Sequence, residues 1–232
     1  MRVLNVQLKH IHGGNPQVCL DYTRVLVEAG NEVTVLTNPA DPLFGKLDAT
    51  GAKVIKSKRL GELGSYDLFS LLYFRRLIKI LKPDVIIAHE GRSAALMKRA
   101  AGRNIPVIDA NHGRSPKQSA KMDATIVTNN FQLYRYNEFF NGKHPAYYVQ
   151  NSMDIGKAKK PDFRRKRKDP PVIGTIGRLV KDKALDVFID ALAILDERSV
   201  KFRAKMAGEG EERQALEEQI KKYELEKKIS MP

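Results

Sequence analysis

Four loops combine residue types that can do chemistry. Gly177-Arg178-Leu179-Val180-Lys181-Asp182-Lys183 follows an apolar run, Val172–Ile176, and precedes a helical period. Arg178 and Lys183 would then bracket a helix N-terminus at the carboxyl end of a strand. Arginine offers a bidentate fork and lysine a point charge, a pair suited to a diphosphate. Helix amides add to the same field. Ordinary solvated surface charge also accounts for both residues. Gly13-Gly14 follows the first apolar alternation, where adjacent glycines let backbone approach a ligand near a helix N-terminus. A simple tight turn explains them equally well. His112-Gly113 follows Pro106–Ala110. Its imidazole can bond a sugar hydroxyl or share developing charge, although a lone histidine is often structural. Gly208-Glu209-Gly210-Glu211-Glu212 follows Lys201–Ala207. Gly208 and Gly210 suit close approach to a nucleotide that Glu212 could orient, or the acids simply favour a helix start.

Other chemistries lack their residues. No G-x-G-x-x-G occurs, and the second strand ends in Leu36-Thr37-Asn38 without an acid for a ribose. No Walker A pattern is present. His10-Ile11-His12 has no carboxylate or cysteine cluster to complete a metal site, so no metal is expected. The single cysteine, Cys19, excludes an internal disulfide and predicts a reducing, cytoplasmic setting. No apolar run approaches the roughly 18 residues of a membrane span. Met1–Leu8 is a short strand-like alternation rather than a signal peptide.

The 232 residues carry a net charge of +14, which favours an anionic partner. The charge is concentrated. Residues 157–168 hold eight basic side chains against the single Asp162, half of that net charge. This run predicts a solvated hinge, with peripheral contact to an anionic membrane as its functional alternative. No nucleic-acid module accompanies the charge, so no nucleic-acid partner is expected.

The elements that must position these loops alternate. Strand Arg2–Leu8, a helix closed by Gly30, and strand Glu32–Leu36 form a strand–helix–strand unit with a parallel crossover. Lys53–Lys56 makes a weak third strand. A helix over 66–81 follows, with Leu68, Leu71, Leu72, Leu77 and Ile80 as its expected buried face, stopped by Lys82-Pro83. Strands Asp84–Ala88, Pro106–Ala110, Ala124–Thr128 and Ala146–Gln150 and helices Arg92–Ala101 and Phe131–Phe140 complete a doubly wound α/β sheet of about seven strands. Residues 1–151 are one domain and the basic stretch 152–171 a linker. Residues 172–232 restart the alternation with a helix over 183–195, a strand over 201–207, a helix over 211–223 and a final strand from Lys228. That is about half a Rossmann-like domain, and one edge and one face of its sheet should lack partners.

Several segments together resemble one family: Gly13-Gly14, AGNEVTVLT (29–37), LKPDVIIAHE (81–90), IPVIDANHG (105–113), DATIVTNN (123–130), VQNSMDI (149–155), VIGTIGRLVKDKALDVFIDALAIL (172–195) and MAGEGEERQALEEQI (206–220). The chain resembles a family 4 glycosyltransferase of the retaining GT-B type. The resemblance implies a nucleotide-sugar donor, UDP- or GDP-linked, in an interdomain cleft, and no metal. It implies that Arg178 and Lys183 hold the donor diphosphate and that His112 lies near the transferred sugar. It places Gly13 and Gly14 beside donor and acceptor. It further implies transfer with retention to a glycan or lipid-linked, lipopolysaccharide-type acceptor, at the inner face of a membrane. Ser152 stands where the family usually has glycine, as does Ala184. The family's E-x7-E glutamates are expected beyond Pro232. A truncated, catalytically inactive remnant or binding module is therefore the alternative expectation.

Overall fold

A computed structural model describes residues 1–8, 14–41, 43–58, 67–152 and 170–232. The chain divides into two compact units, Met1–Gly156 and Lys157–Pro232. Residues 153–169, with the basic run and most of the expected linker, lie outside the described residues, as do His10, His12 and Gly13.

In the first unit the strands are β1 (Arg2–Gln7), β2 (Glu32–Thr37), β3 (Lys53–Lys56), β4 (Val85–Ala88), β5 (Val107–Asn111), β6 (Ala124–Val127) and β7 (Ala146–Tyr148). They form one sheet in the order β3-β2-β1-β4-β5-β6-β7, and every pairing is parallel. The chain winds outward from β1 to β3, then returns to place β4 on the other side of β1. The switch point, where doubly wound sheets bind ligands, is therefore the gap between the carboxyl ends of β1 and β4.

The crossovers are α1 (Gly14–Glu28), α2 (Phe44–Asp48), α3 (Leu68–Leu81), α4 (Gly91–Ala101), α5 (Pro116–Ser119) and α6 (Asn130–Phe140). Two apolar clusters cover the two faces of the sheet. One gathers Leu4, Val6, Ile86 and Ala88 with Leu71, Phe74 and Ile78 of α3 and Leu96 and Met97 of α4. The other gathers Val3, Val33, Val35 and Ile87 with Cys19 and Leu20 of α1. Alternate β1 residues thus feed opposite cores, which is why this strand is buried on both faces from Val3 to Gln7.

The α3 helix corrects one expectation. Its buried residues are Ser70, Leu71, Phe74 and Ile78, while Leu68, Leu72 and Ile80 are exposed. The helix is apolar around most of its circumference, so its period admits more than one inward face. Asp67 sets the start, its carboxylate accepting from the Ser70 amide at 3.0 Å. Lys82, left-handed at φ 47°, and Pro83 end it.

The second unit has β8 (Val172–Ile176), α7 (Leu185–Glu197), β9 (Arg203–Ala207), α8 (Arg213–Lys222) and β10 (Ile229–Ser230). Its parallel sheet runs β10-β9-β8. Ile189, Leu192, Ala204, Met206, Leu216 and Ile220 pack as its core. The helix expected over 183–195 begins later. Lys181–Lys183 is a 3-10 turn, and Ala184, left-handed at φ 47°, separates it from α7. Strand β8 lies at the sheet edge with one face exposed: Val172 is 45 % and Ile176 90 % accessible.

Candidate functional site

At the switch point of the first unit the strand ends carry polar groups that burial forces into pairs. Asn5, on β1, is fully buried. Its amide nitrogen donates to the Cys19 carbonyl at 3.1 Å and to Thr23 Oγ1 at 3.0 Å, both on α1. Its oxygen Oδ1 faces Nε2 of His89 at 2.7 Å. His89 follows β4 directly and is also fully buried. Burial, with His112 and Arg114 nearby, pushes its pKa down to about 3, so the ring is neutral. Glu90 caps this corner: its Oε1 accepts from the Leu8 amide at 2.9 Å and the Ser93 hydroxyl at 2.6 Å.

His112 follows β5 directly. Its Nε2 faces His89 Nδ1 at 3.5 Å. The two rings are within 7° of parallel with centroids 5.7 Å apart. A parallel pair reaches that combination only edge to edge in one plane, so the nitrogens face each other rather than the rings stacking. Burial lowers the pKa of His112, with the positive Arg114 adding to the shift. Its Nδ1 is buried and has no hydrogen-bond partner among the described residues. A buried ring nitrogen left without a partner in this way costs about 1–3 kcal/mol until a matching group reaches it.

Behind His112 lies a second network. Asp109 is fully buried and pairs with Arg114 at 2.5 Å. The Ser119 hydroxyl donates to its other oxygen at 2.5 Å. Asn111 donates to the Tyr136 hydroxyl at 2.5 Å and accepts from the Arg114 amide at 2.6 Å. These bonds tie the loop 112–115 to α5 and α6. Arg114 Nη1 is left buried without a partner among the described residues. It sits where a side chain on Gly91 would begin, 2.4 Å from the position a Cβ would take.

In the second unit the ends of β8 and β9 are joined by backbone. The Gly177 amide donates to the Ala207 carbonyl at 3.0 Å, the Leu179 amide to the Glu209 carbonyl at 2.9 Å, and the Glu212 amide to the Leu179 carbonyl at 3.0 Å. Glycine is obligatory at two points of this seam. A Cβ on Gly208, at φ 152°, would lie 1.8 Å from the Gly177 carbonyl oxygen, and one on Gly210 2.2 Å from that of Leu179. This gives both glycines a structural reason that their spacing alone did not show. Arg178 and Lys183 are exposed, and neither side chain makes an ion pair or hydrogen bond among the described residues. Lys183 ends the 3-10 turn and does not start the helix. Arg213 bonds Glu209, Glu217 and the Gly208 carbonyl, so it belongs to the fold of this corner.

Gly14 is the first residue of α1. The short α2 and α5, each about one turn, give no period in sequence. The Asn5–His89 pair was also missed, because its partners lie 84 residues apart. A polar residue inside the apolar run of β1, and a histidine directly after β4, were the available signals. Among the described residues no three metal-binding side chains come together, and no helix is long and apolar enough to cross a membrane.

No curated protein sequence is significantly similar to the chain. Among solved structures it is similar to a glycosyltransferase from Rickettsia africae, at 17 % identity and a TM-score of 0.76 over the whole chain and 67 % of that protein. It is similar to Anabaena HepE in complex with UDP and glucose, at 16 % identity and a TM-score of 0.72 over the whole chain and 68 % of that protein. A third is the lipopolysaccharide outer core galactosyltransferase WaaB, at 14 % identity and a TM-score of 0.66, again over the whole chain and 67 % of that protein. These likenesses show the fold, a GT-B type α/β architecture. At the level of sequence, residues 12–149 match the model described as Glycosyltransferase Family 4, and residues 156–232 the model described as Glycosyl transferases group 1. The first match alone spans more than half of the chain: the protein belongs to glycosyltransferase family 4.

Proposed function

We propose that this chain takes part in retaining transfer of a sugar from a nucleotide-sugar donor to a glycan or lipid-linked acceptor. The observation that carries this reading is the state of Arg178 and Lys183. They are two exposed cations with no protein partner among the described residues, on a turn held in place by the Gly208 and Gly210 seam. A departing diphosphate needs fixed positive charge more than a general base, and these side chains supply it without a metal ion. In the first unit, His112 offers a sugar hydroxyl an imidazole nitrogen that has no partner among the described residues. HepE was solved with UDP and glucose, which supports a uridine nucleotide as the carrier.

A lipid-linked acceptor is supported by the outer face of α3. Leu68, Phe69, Leu72 and Ile80 are exposed there beside Arg75, Arg76 and Lys79. Apolar side chains can enter a lipid interface while cations meet its anionic headgroups. Co-sedimentation with vesicles containing anionic lipid checks this contact. The L68S/F69S/L72S variant should leave the pellet for the supernatant.

The central test is calorimetric titration with a panel of UDP- and GDP-sugars, coupled to an assay of donor hydrolysis and transfer. Loss of about tenfold or more in affinity is expected for R178A and K183A. Binding without turnover would make the chain a donor-binding module. Absence of both would end the sugar-donor assignment.

A further inference from the structure

The contacts at the switch point determine where each proton sits. Thr23 donates its hydroxyl proton to the Cys19 carbonyl at 2.7 Å, so Thr23 Oγ1 can only accept from Asn5. The Cys19 carbonyl is likewise an acceptor. Both therefore face the NH2 of Asn5, and the opposite flip of the amide would set oxygen against oxygen. With the amide oriented this way, Oδ1 meets His89 Nε2 at 2.7 Å, and a carbonyl oxygen can only accept. The proton of His89 lies on Nε2. A neutral imidazole carries one N–H, so His89 Nδ1 is a bare lone pair. It points in the ring plane at Nε2 of His112, and a lone pair can be met favourably only by an N–H.

We infer that Asn5 and His89 are positioning residues that fix the proton of His112 on Nε2 and leave its Nδ1 as a bare acceptor. The buried Nδ1, which has no partner among the described residues, fits this role. An acceptor there can take a hydrogen bond from a hydroxyl, but it cannot donate to a phosphate oxygen. His112 is thereby assigned to the sugar end of a donor and not to its diphosphate. Tyr22, whose ring meets His89 edge-on at 5.2 Å, closes the other side of the buried imidazole. That His112 meets a sugar at all rests on the proposed function; its tautomer does not.

The test separates the two nitrogens of His89. Asparagine places its amide where Nδ1 lies, and glutamine where Nε2 lies. H89N thus keeps an acceptor for His112, and H89Q keeps the bond to Asn5 but removes that acceptor. Long-range proton–nitrogen correlation spectra of the histidine-labelled full chain at neutral pH report which ring nitrogen is protonated. The unsubstituted protein and H89N should show His112 protonated on Nε2 alone, and H89Q should show the proton redistributed. With a donor that turns over, H89Q should lose about tenfold in kcat/KM and H89N should recover most of it. A His112 proton on Nδ1 in the unsubstituted protein overturns the inference, as do identical His112 spectra in H89N and H89Q. If neither variant folds, the spectrum of the unsubstituted protein still decides. Because the spectra need no ligand, their failure leaves the transferase reading standing. Absence of sugar-nucleotide binding would likewise leave the tautomer measurement intact.

Discussion

The two strand-end clusters are built on opposite plans. In the first unit the site is made of buried side chains, Asn5, His89 and Asp109 among them, held by hydrogen bonds between distant parts of the chain. In the second unit the backbone does the holding, through a seam that tolerates only glycine at 208 and 210, and Arg178 and Lys183 have no side-chain partner among the described residues. Buried polar groups gain a fixed geometry but are costly to disturb. A backbone seam fixes a loop while leaving its side chains uncommitted. The first plan suits selecting one hydroxyl, and the second suits gripping a charged, adaptable group.

The contrast can be broken at its strongest point first. Asp109→Ala strands the Arg114 guanidinium and should destabilise the first unit by about 3–5 kcal/mol in urea unfolding. Asp109→Asn should cost less, because Ser119 keeps a partner. Gly210→Ala drives a methyl into the Leu179 backbone. It should cost about 3 kcal/mol, confined to the second unit, as hydrogen exchange of the β8 and β9 amides would show.

Acid sharpens the comparison. His89 is neutral when folded, with a pKa near 3, and unfolded it protonates near 6.5. The unfolded chain therefore binds a proton between those values that the folded chain refuses. Stability contributed by His89 is present above about pH 6.5 and falls toward pH 3, by up to about 1.4 kcal/mol per pH unit. Urea unfolding at pH 7, 5.5 and 4.5 should show this slope in the first unit, and H89N should flatten it. The smallest effect is a gain. Ala184 holds φ 47°, a conformation that costs a side-chain-bearing residue about 1–2 kcal/mol. After glycine's greater unfolded-state entropy is counted, Ala184→Gly should stabilise the second unit by up to about 1 kcal/mol.

That last position shows how far sequence reasoning reaches. A glycine was expected at 184 by resemblance, but only the left-handed turn between Lys183 and α7 explains why. The strands were legible because runs such as Val85–Ala88 are apolar on both faces. The inward face of α3 was not, since Leu68 and Leu72 are as apolar as Leu71 and Phe74 and only the sheet beneath selects between them. His112 stood out by its place after a strand. His89 shares that place after a strand, but its meaning depends on Asn5, and that pairing exists only once β1 and β4 are side by side.

The open flank of β8 has a practical meaning for anyone handling this polypeptide. A strand that among the described residues pairs on one side alone, with an Ile176 side chain almost wholly in water, is a template onto which another strand can add. Concentrated solutions should therefore self-associate through residues 172–176. A charged residue in place of Ile176 would be the simplest way to keep them monodisperse.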